Sequence, residues 1–458
     1  MPSHAVGFCV AGLLSLPIVV GCSGGEDDVR EEPTFWQDVA PIMMSKCVSC
    51  HQKEGIAHFP LDDYEVARER AGAIDDAVQS GRMPPFLVDH DGSCGDFQDD
   101  VTLTAGELDV IHRWAAGGRA EGKRAEGPAG LPPLPMLEDA TEYRTPLVTP
   151  VVDPSNPLGA NDEYRCYPMP AGIPGERFIT GYQVVPGNPA IIHHAAVYVV
   201  NPSAPSYVDG KTNGEVMAEM DEASPERPGW DCFGGPGDAV VHHALPVTWA
   251  PGQNVVEYPK DVGLRIAPDD VMVVQMHYNL HGHGEDGGGS ARHGGSEEAD
   301  STLIRLRYAE SVKRSAMMLG YDGLLGSMFA GDPHSLPQGQ ANASYSWEVP
   351  REALDVAASV PALEVLGVMP HMHERGRTFE MSVSTGGQKE CVARVDAWDF
   401  HWQGLYWYRT PPRIEASSLV GVTCTYDTRD AEGPVLPGWG TENEMCMSSF
   451  MVAPPAEP

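Results

Sequence analysis

The five residues Cys47-Val48-Ser49-Cys50-His51 constrain this 458-residue chain more than any others. They read CxxCH, the attachment motif of a c-type haem. Two thiols three positions apart can each form a thioether to a porphyrin, and the imidazole that follows lies beneath the iron as an axial ligand. The N-terminal part is therefore expected to carry electrons, which leaves most of the chain to use them. A disulfide or half a zinc site is the other use of a CxxC spacing.

The surroundings of the motif read as short helices. Thr34 followed by Gln37 is a helix-start signature, with Phe35, Val39 and Ile42 on one face. Pro41 is expected to interrupt or restart that helix. Thr104 and Glu107 form a second capping box, and Leu108, Ile111 and Ala115 line one face until Gly117-Gly118 ends the helix. Between them lies Gly81-Arg82-Met83-Pro84-Pro85, a thioether on a stiff loop, which suits a sixth haem ligand. Residues 33–120 resemble the class I cytochrome c family, an all-α domain, and the resemblance implies His51 and Met83 as the axial pair. A core methionine with some other sixth ligand is the alternative.

Ala5 to Val20 is apolar, uncharged and too short for a comfortable membrane span. It ends in Val19-Val20-Gly21-Cys22, which resembles the lipobox of bacterial lipoproteins, although its start carries no Lys or Arg. On this reading residues 1–21 are a signal peptide, Cys22 is lipidated and 22–32 form a tether. The protein then sits in the bacterial cell envelope, facing the periplasm or cell surface and touching membrane only through its lipid. An ordinary cleaved signal or an uncleaved anchor is the other reading, and each exports the chain. Sixty-five acidic residues against thirty basic ones give a net charge of −35, which argues against nucleic acid. Fifty glycines and 41 prolines with few helical patterns point to β-rich architecture beyond a linker at 121–140. Setting aside Cys9, Cys22, Cys47 and Cys50 leaves Cys94, Cys166, Cys232, Cys391, Cys424 and Cys446. An even remainder suits disulfides in an oxidising compartment, with their pairing open.

From about residue 141 the histidines gather in constellations: His193-His194, Gln275-Met276-His277-Tyr278, and His371-Met372-His373, followed by Glu444-Met445-Cys446. The first three adjoin strand-like runs, Ala195–Val200, Val271–Val274 and Val365–Val368. His371 and His373, two apart, would project from one face of a strand and could share a metal. Adjacent His193 and His194 would point to opposite faces, and could converge only at a strand end or kink. Methionine is a soft ligand that suits Cu(I), so two histidines with a methionine read as copper. The second pair, His242-His243, lies in a Pro/Gly-containing region that reads as loop. His281, His283 and His293 sit in a Gly- and acid-rich stretch that reads as a solvated loop, with transient copper capture as the sharper reading.

The order HH, QxHY, HxH, EMC resembles the type II copper, ascorbate-dependent monooxygenases, the family of peptidylglycine α-hydroxylating and dopamine β-monooxygenases, over about 145–452. The resemblance implies two all-β, jelly-roll-like sandwich domains, at 141–310 and 311–454, each with one copper facing a cleft. It implies that His193, His194 and His277 hold an electron-storing copper. His371, His373 and Met445 would hold the catalytic copper, where O2 binds and a substrate C–H bond is cut. It also implies a Cys424–Cys446 disulfide. The chain departs from the peptide hydroxylase at Met369, where that enzyme has arginine, and at Met447 and Ser449, where it has asparagine and tyrosine. Those residues grip a peptide carboxylate, so a glycine-extended peptide is not the expected substrate.

These readings together describe a multidomain protein, an all-α cytochrome c domain followed by two β-sandwiches, with two copper ions and one c-type haem. Its expected activity is hydroxylation of a small organic substrate with O2. Such a reaction needs two added electrons, and the haem would relay them from a periplasmic or ascorbate-like donor, through the flexibly linked cytochrome, to the His193/His194/His277 copper. Two other classes carry the same residues: a non-catalytic electron-transfer or copper-binding lipoprotein, and a haem protein whose β-domains only bind a partner.

Overall fold

The computed structural model describes residues 32–456 apart from 53–56, 58, 90, 99, 125–135, 152, 154–161, 171, 174, 190, 234, 252, 254, 281–298, 332, 355–359, 401 and 439–441. The expected signal 1–21, the lipidated Cys22, the tether to residue 31 and most of the linker 121–140 lie outside the described residues. So do His281, His283 and His293.

Short helices occupy the first hundred described residues. A π-helical turn, Phe35–Val39, runs into the α-helix Ala40–Lys46, and Pro41 sits in the first α-turn, where its missing N–H costs nothing. The Thr34/Gln37 capping box does not close. Thr34 N donates instead to Asp38 (2.7 Å), and the Thr34 hydroxyl meets Gln37 (2.6 Å). The Thr104/Glu107 box does close, at the head of the helix Ala105–Ala116. With Tyr64–Glu69 and Ala71–Gln79, these helices enclose a core of Phe35, Val39, Met43, Ile74, Ile111 and Trp114.

The rest of the described chain is mainly β-structure, in three sheets of ten, five and four strands, with short helices at Asn213–Glu222 and Gly323–Phe329. The five-stranded sheet runs in the order Trp230–Asp231, Asp162–Pro170, Val271–Asn279, Ile192–Val200, Ala244–Trp249. Tyr167, Val197 and Val274 from this sheet pack on Tyr182, Leu264 and Leu306 of the ten-stranded one. The four-stranded sheet contributes Trp347, Phe379, Met381 and Val422, which cover Leu319, Val365, Val368 and Phe450 at the other end of the large sheet.

The two sandwiches are therefore not separate bodies. Their shared sheet is joined where Val262–Ile266 pairs in parallel with Arg314–Asp322. Farther along it, Ala362–His371 pairs antiparallel with Met447–Ala453. This pair is apolar on both faces: Val365, Val368, Phe450 and Val452 enter the C-terminal core, whereas Leu366, Met451 and Ala453 enter the N-terminal one. A strand buried on both sides loses the alternation that marks a half-exposed strand.

Three disulfides close this body: Cys94–Cys391, Cys166–Cys232 and Cys424–Cys446. Beside the second, the fully buried Arg165 guanidinium donates to Asp231 (2.8 Å), Ser224 (2.7 Å) and the carbonyls of Pro228 (2.7 Å) and Gly229 (2.9 Å). Glu163 lies 3.5 Å away. Arg165→Ala would strip a buried network of its cation, and chemical unfolding is expected to show a loss of about 3–5 kcal/mol. Cys47 and Cys50 stay unpaired and half-buried.

Candidate functional site

His193 and His194 adjoin a β-bulge. Ile192 pairs with Tyr278 and His194 with His277, so one extra residue, His193, is accommodated between them. The bulge supplies the kink that adjacent histidines need if they are to face one point. Their Nδ1 atoms converge with that of His277: 3.1 Å between His193 and His194, 3.1 Å between His193 and His277, and 3.2 Å between His194 and His277. Hydrogen bonds cannot account for this triangle, because an Nδ1 that carries a proton has no lone pair to accept another. A cation shared by three lone pairs does, since a tetrahedral metal with bonds of about 2.0 Å has edges of about 3.3 Å.

The surroundings favour neutral, ligating imidazoles. His194 is held well below its ordinary pKa by burial and by the neighbouring His277, His193 and His371. Burial likewise lowers His277, against the opposing pull of Asp162. That carboxylate lies 2.8 Å from His277 Nε2 and accepts from Asn279 at 3.1 Å. It fixes the tautomer that leaves Nδ1 for the metal. Tyr164, paired with His277 across the strands, stacks on its ring at 3.9 Å. His242 and His243 take no part: the first lies against Tyr198, the second meets Asp270 at 3.1 Å.

The second set forms where the strand Ala362–His371 ends and Met447–Ala453 begins. His371 is the last strand residue, His373 lies just beyond, and their ring centres are 5.2 Å apart. Here the outer contacts occupy the opposite nitrogens. His371 Nδ1 lies 2.5 Å from Gln403 Oε1, and His373 Nδ1 is 3.1 Å from the Asn443 carbonyl, which leaves the Nε2 atoms for metal. Burial lowers the pKa of His371, with Gln403 opposing. Met445 is buried, held by its carbonyl through Tyr426 (2.7 Å) and by its neighbour in the Cys424–Cys446 bridge.

Glu444 ties these pieces together. Its buried carboxylate accepts from the amides of His373 (2.9 Å), Arg375 (2.8 Å) and Met445 (3.4 Å). Burial outweighs those donors and pushes its pKa up to about 8. Among the described residues, the three-histidine set is the one group of histidine, cysteine or carboxylate ligands close enough to hold a metal.

In the helical segment, Cys47, Cys50 and His51 follow the helix Ala40–Lys46, and Met83 packs on the same core. His51 Nδ1 lies 3.3 Å from the Phe59 carbonyl, a contact that would orient the ring if Nε2 served as a ligand. Burial, then Cys50, pushes the Cys47 thiol up to about 12. Two unpaired thiols and an imidazole at this spacing are the groups that would hold a covalently bound haem.

Asp162, Tyr164, Gln403 and Glu444 as a clamp escape a reading of spacing. Asp162 is 115 residues from His277, and Gln403 is 32 from His371.

Residues 324–456 match the family described as copper type II ascorbate-dependent monooxygenase, C-terminal domain. Over 359 residues the chain is 23% identical to tyramine beta-hydroxylase of Caenorhabditis briggsae, covering 73% of this chain and 53% of that protein. It is 26% identical over 212 residues to DBH-like monooxygenase protein 1 of Mus musculus, covering 45% and 33%. It is 23% identical over 334 residues to dopamine beta-hydroxylase of Equus caballus, covering 69% and 47%. The chain spans about half, or less, of the length of these curated relatives. The matched segment 324–456 is the part of the chain that carries His371, His373 and Met445.

Two outcomes test this description. Asp162→Ala should weaken copper binding at the three-histidine set by roughly 10–100-fold, read by competition with a Cu(I) chelator, while copper at the His371 set is retained. Asp322 caps the helix Gly323–Phe329 and accepts from Cys446 N (3.4 Å), and its Oδ2 has no partner among the described residues. Burial raises it from 3.8 to about 6. The folded state binds this proton more tightly, so the contribution is complete below the unfolded pKa and lost as pH rises through about 6. The Tm of Asp322→Asn apoprotein should therefore gain on the parent across that interval in calorimetry.

Proposed function

We propose that this protein is an exported, copper-dependent monooxygenase that hydroxylates a C–H bond of a small organic substrate with O2, its electrons supplied through a c-type haem. The observation that carries the reading is a pair of unlike residue sets: three converging Nδ1 atoms at one, and at the other two histidines at a strand end, with the Met445 backbone tied to that of His373 through Glu444. Copper supplies one-electron redox chemistry at such ligands, which tolerate both its oxidation states. A haem at Cys47, Cys50 and His51 would supply single electrons from an envelope or ascorbate-like donor.

The chain's own residues divide the work. His193, His194 and His277, oriented by Asp162, form a site without a thioether, suited to storing an electron. His371, His373 and Met445, held by Glu444 and Gln403, form the site proposed for O2 and substrate. Met369 lies opposite Ser449, and Met447 opposite His371, on the paired strands. These positions offer no cation, so a substrate lacking a terminal carboxylate is favoured. Three disulfides suit an oxidising compartment. Lipidation at Cys22 would anchor the protein; no helix among the described residues is long and apolar enough to cross a membrane.

Metal analysis of the haem-loaded full chain after copper addition and desalting tests the reading. Two coppers per haem are expected in the parent and one in His371→Ala/Met445→Ala, with copper-dependent O2 uptake in the parent alone. Copper binding without O2 uptake in the parent would favour a non-catalytic electron-transfer or copper-binding lipoprotein. No retained copper would end both readings.

A further inference from the structure

Between Met83 and the helix Ala105–Ala116 the chain leaves the helices, and it rejoins them at Thr102 and Leu103. It crosses to the C-terminal sandwich as a strap. Val88 bridges to Val395, and Phe97 to Tyr408. Asp89 N donates to the Arg394 carbonyl (2.8 Å), while the Asp89 carboxylate pairs with the Arg394 guanidinium (2.8 Å). Gln98 N donates to the Trp407 carbonyl (2.7 Å), and Arg409 pairs with Asp96. The Cys94–Cys391 disulfide closes the attachment across 297 residues of sequence. All these partners belong to the sandwich that carries His371, His373 and Met445. The expected flexible linker is thus not the sole connection between the helical segment and the β-structure.

The strap also touches the residues that hold His371. Phe86 follows Met83 by three residues, and its ring meets Tyr406 edge-on at 5.3 Å. Three residues before Tyr406 in the chain stands Gln403, whose Oε1 lies 2.5 Å from His371 Nδ1. Met83 is thereby joined to His371 by two short covalent stretches, one aromatic contact and one hydrogen bond.

We propose that this strap is the electron route into the C-terminal ligand set, from a haem at Cys47, Cys50 and His51 to a copper at His371, His373 and Met445. Phe86, Tyr406 and Gln403 are its contacts. The inference rests on the haem reading given above and changes its destination from the three-histidine set. One electron moves: iron(II) becomes iron(III) and copper(II) becomes copper(I), with no bond made or broken.

The test begins with the apoprotein. Hydrogen exchange at the amides of Asp89, Gln98 and Arg409 should be slow in the parent and fast in Cys94→Ser/Cys391→Ser; fast exchange in the parent would overturn the docking and the route with it. Next, the haem-loaded full chain is reduced, freed of reductant without O2, and mixed with Cu(II) while the haem band and the copper EPR signal are followed. Rapid haem oxidation should persist in His193→Ala/His277→Ala and vanish in His371→Ala/Met445→Ala. It should slow by an order of magnitude in Phe86→Leu with the copper signal unchanged. Transfer that follows the three-histidine set, or that ignores Phe86→Leu, overturns this route and leaves the haem reading standing. A chain that takes up no haem at CxxCH overturns both.

Discussion

Burial of both faces of the strand pair Ala362–His371 and Met447–Ala453 is the constraint on which the rest of the molecule depends. Alternate side chains enter two different cores, so neither sandwich can be completed without the other. The candidate ligands gather at one end of the pair, His371 closing the first strand opposite Met447 and Met445 standing two residues before the second. Packing on two sides holds that end rigidly, and rigid elements are what a metal set requires of its scaffold. Glu444 adds a local clamp, because one carboxylate takes the amides of the histidine loop and the methionine segment together.

The two ligand sets reach their metal-facing nitrogens by opposite means. At the first, Asp162 occupies His277 Nε2 and leaves Nδ1 to converge with its neighbours. At the second, Gln403 and the Asn443 carbonyl occupy Nδ1 and leave Nε2. A shorter arm from Cβ to the donor suits adjacent histidines crowded at a bulge; a longer one suits rings reaching out from a strand end. Desolvation works in the same direction at His194, His277 and His371 by disfavouring imidazolium. His371 also contributes to the depression of His194, which makes the two sets electrostatic neighbours within one body.

The helical segment follows a different logic. A core of Phe35, Met43, Ile111 and Trp114 is small, and a body of that size gains little from burial alone. Fastening its Met83 loop to the C-terminal sandwich through Cys94–Cys391 restricts both parts. The same fastening brings Phe86 against Tyr406, so the loop that offers a candidate axial thioether also touches the framework of a candidate copper ligand.

Local structure was legible in the chain. The Thr104/Glu107 box and the strand-like runs beside the histidines declare themselves over a few residues, because capping and side-chain alternation are short-range. The order of the histidine and methionine motifs added what single residues could not. Tertiary structure alone decided how the pieces meet: the bulge that turns His193 and His194 together, the Cys94–Cys391 and Cys166–Cys232 pairings, and the single sheet that fuses the sandwiches. The same holds for Asp162 behind His277 and Gln403 behind His371. The physical reason is that register, burial on two faces and the approach of distant side chains are properties of packing, and no spacing along the chain encodes them locally.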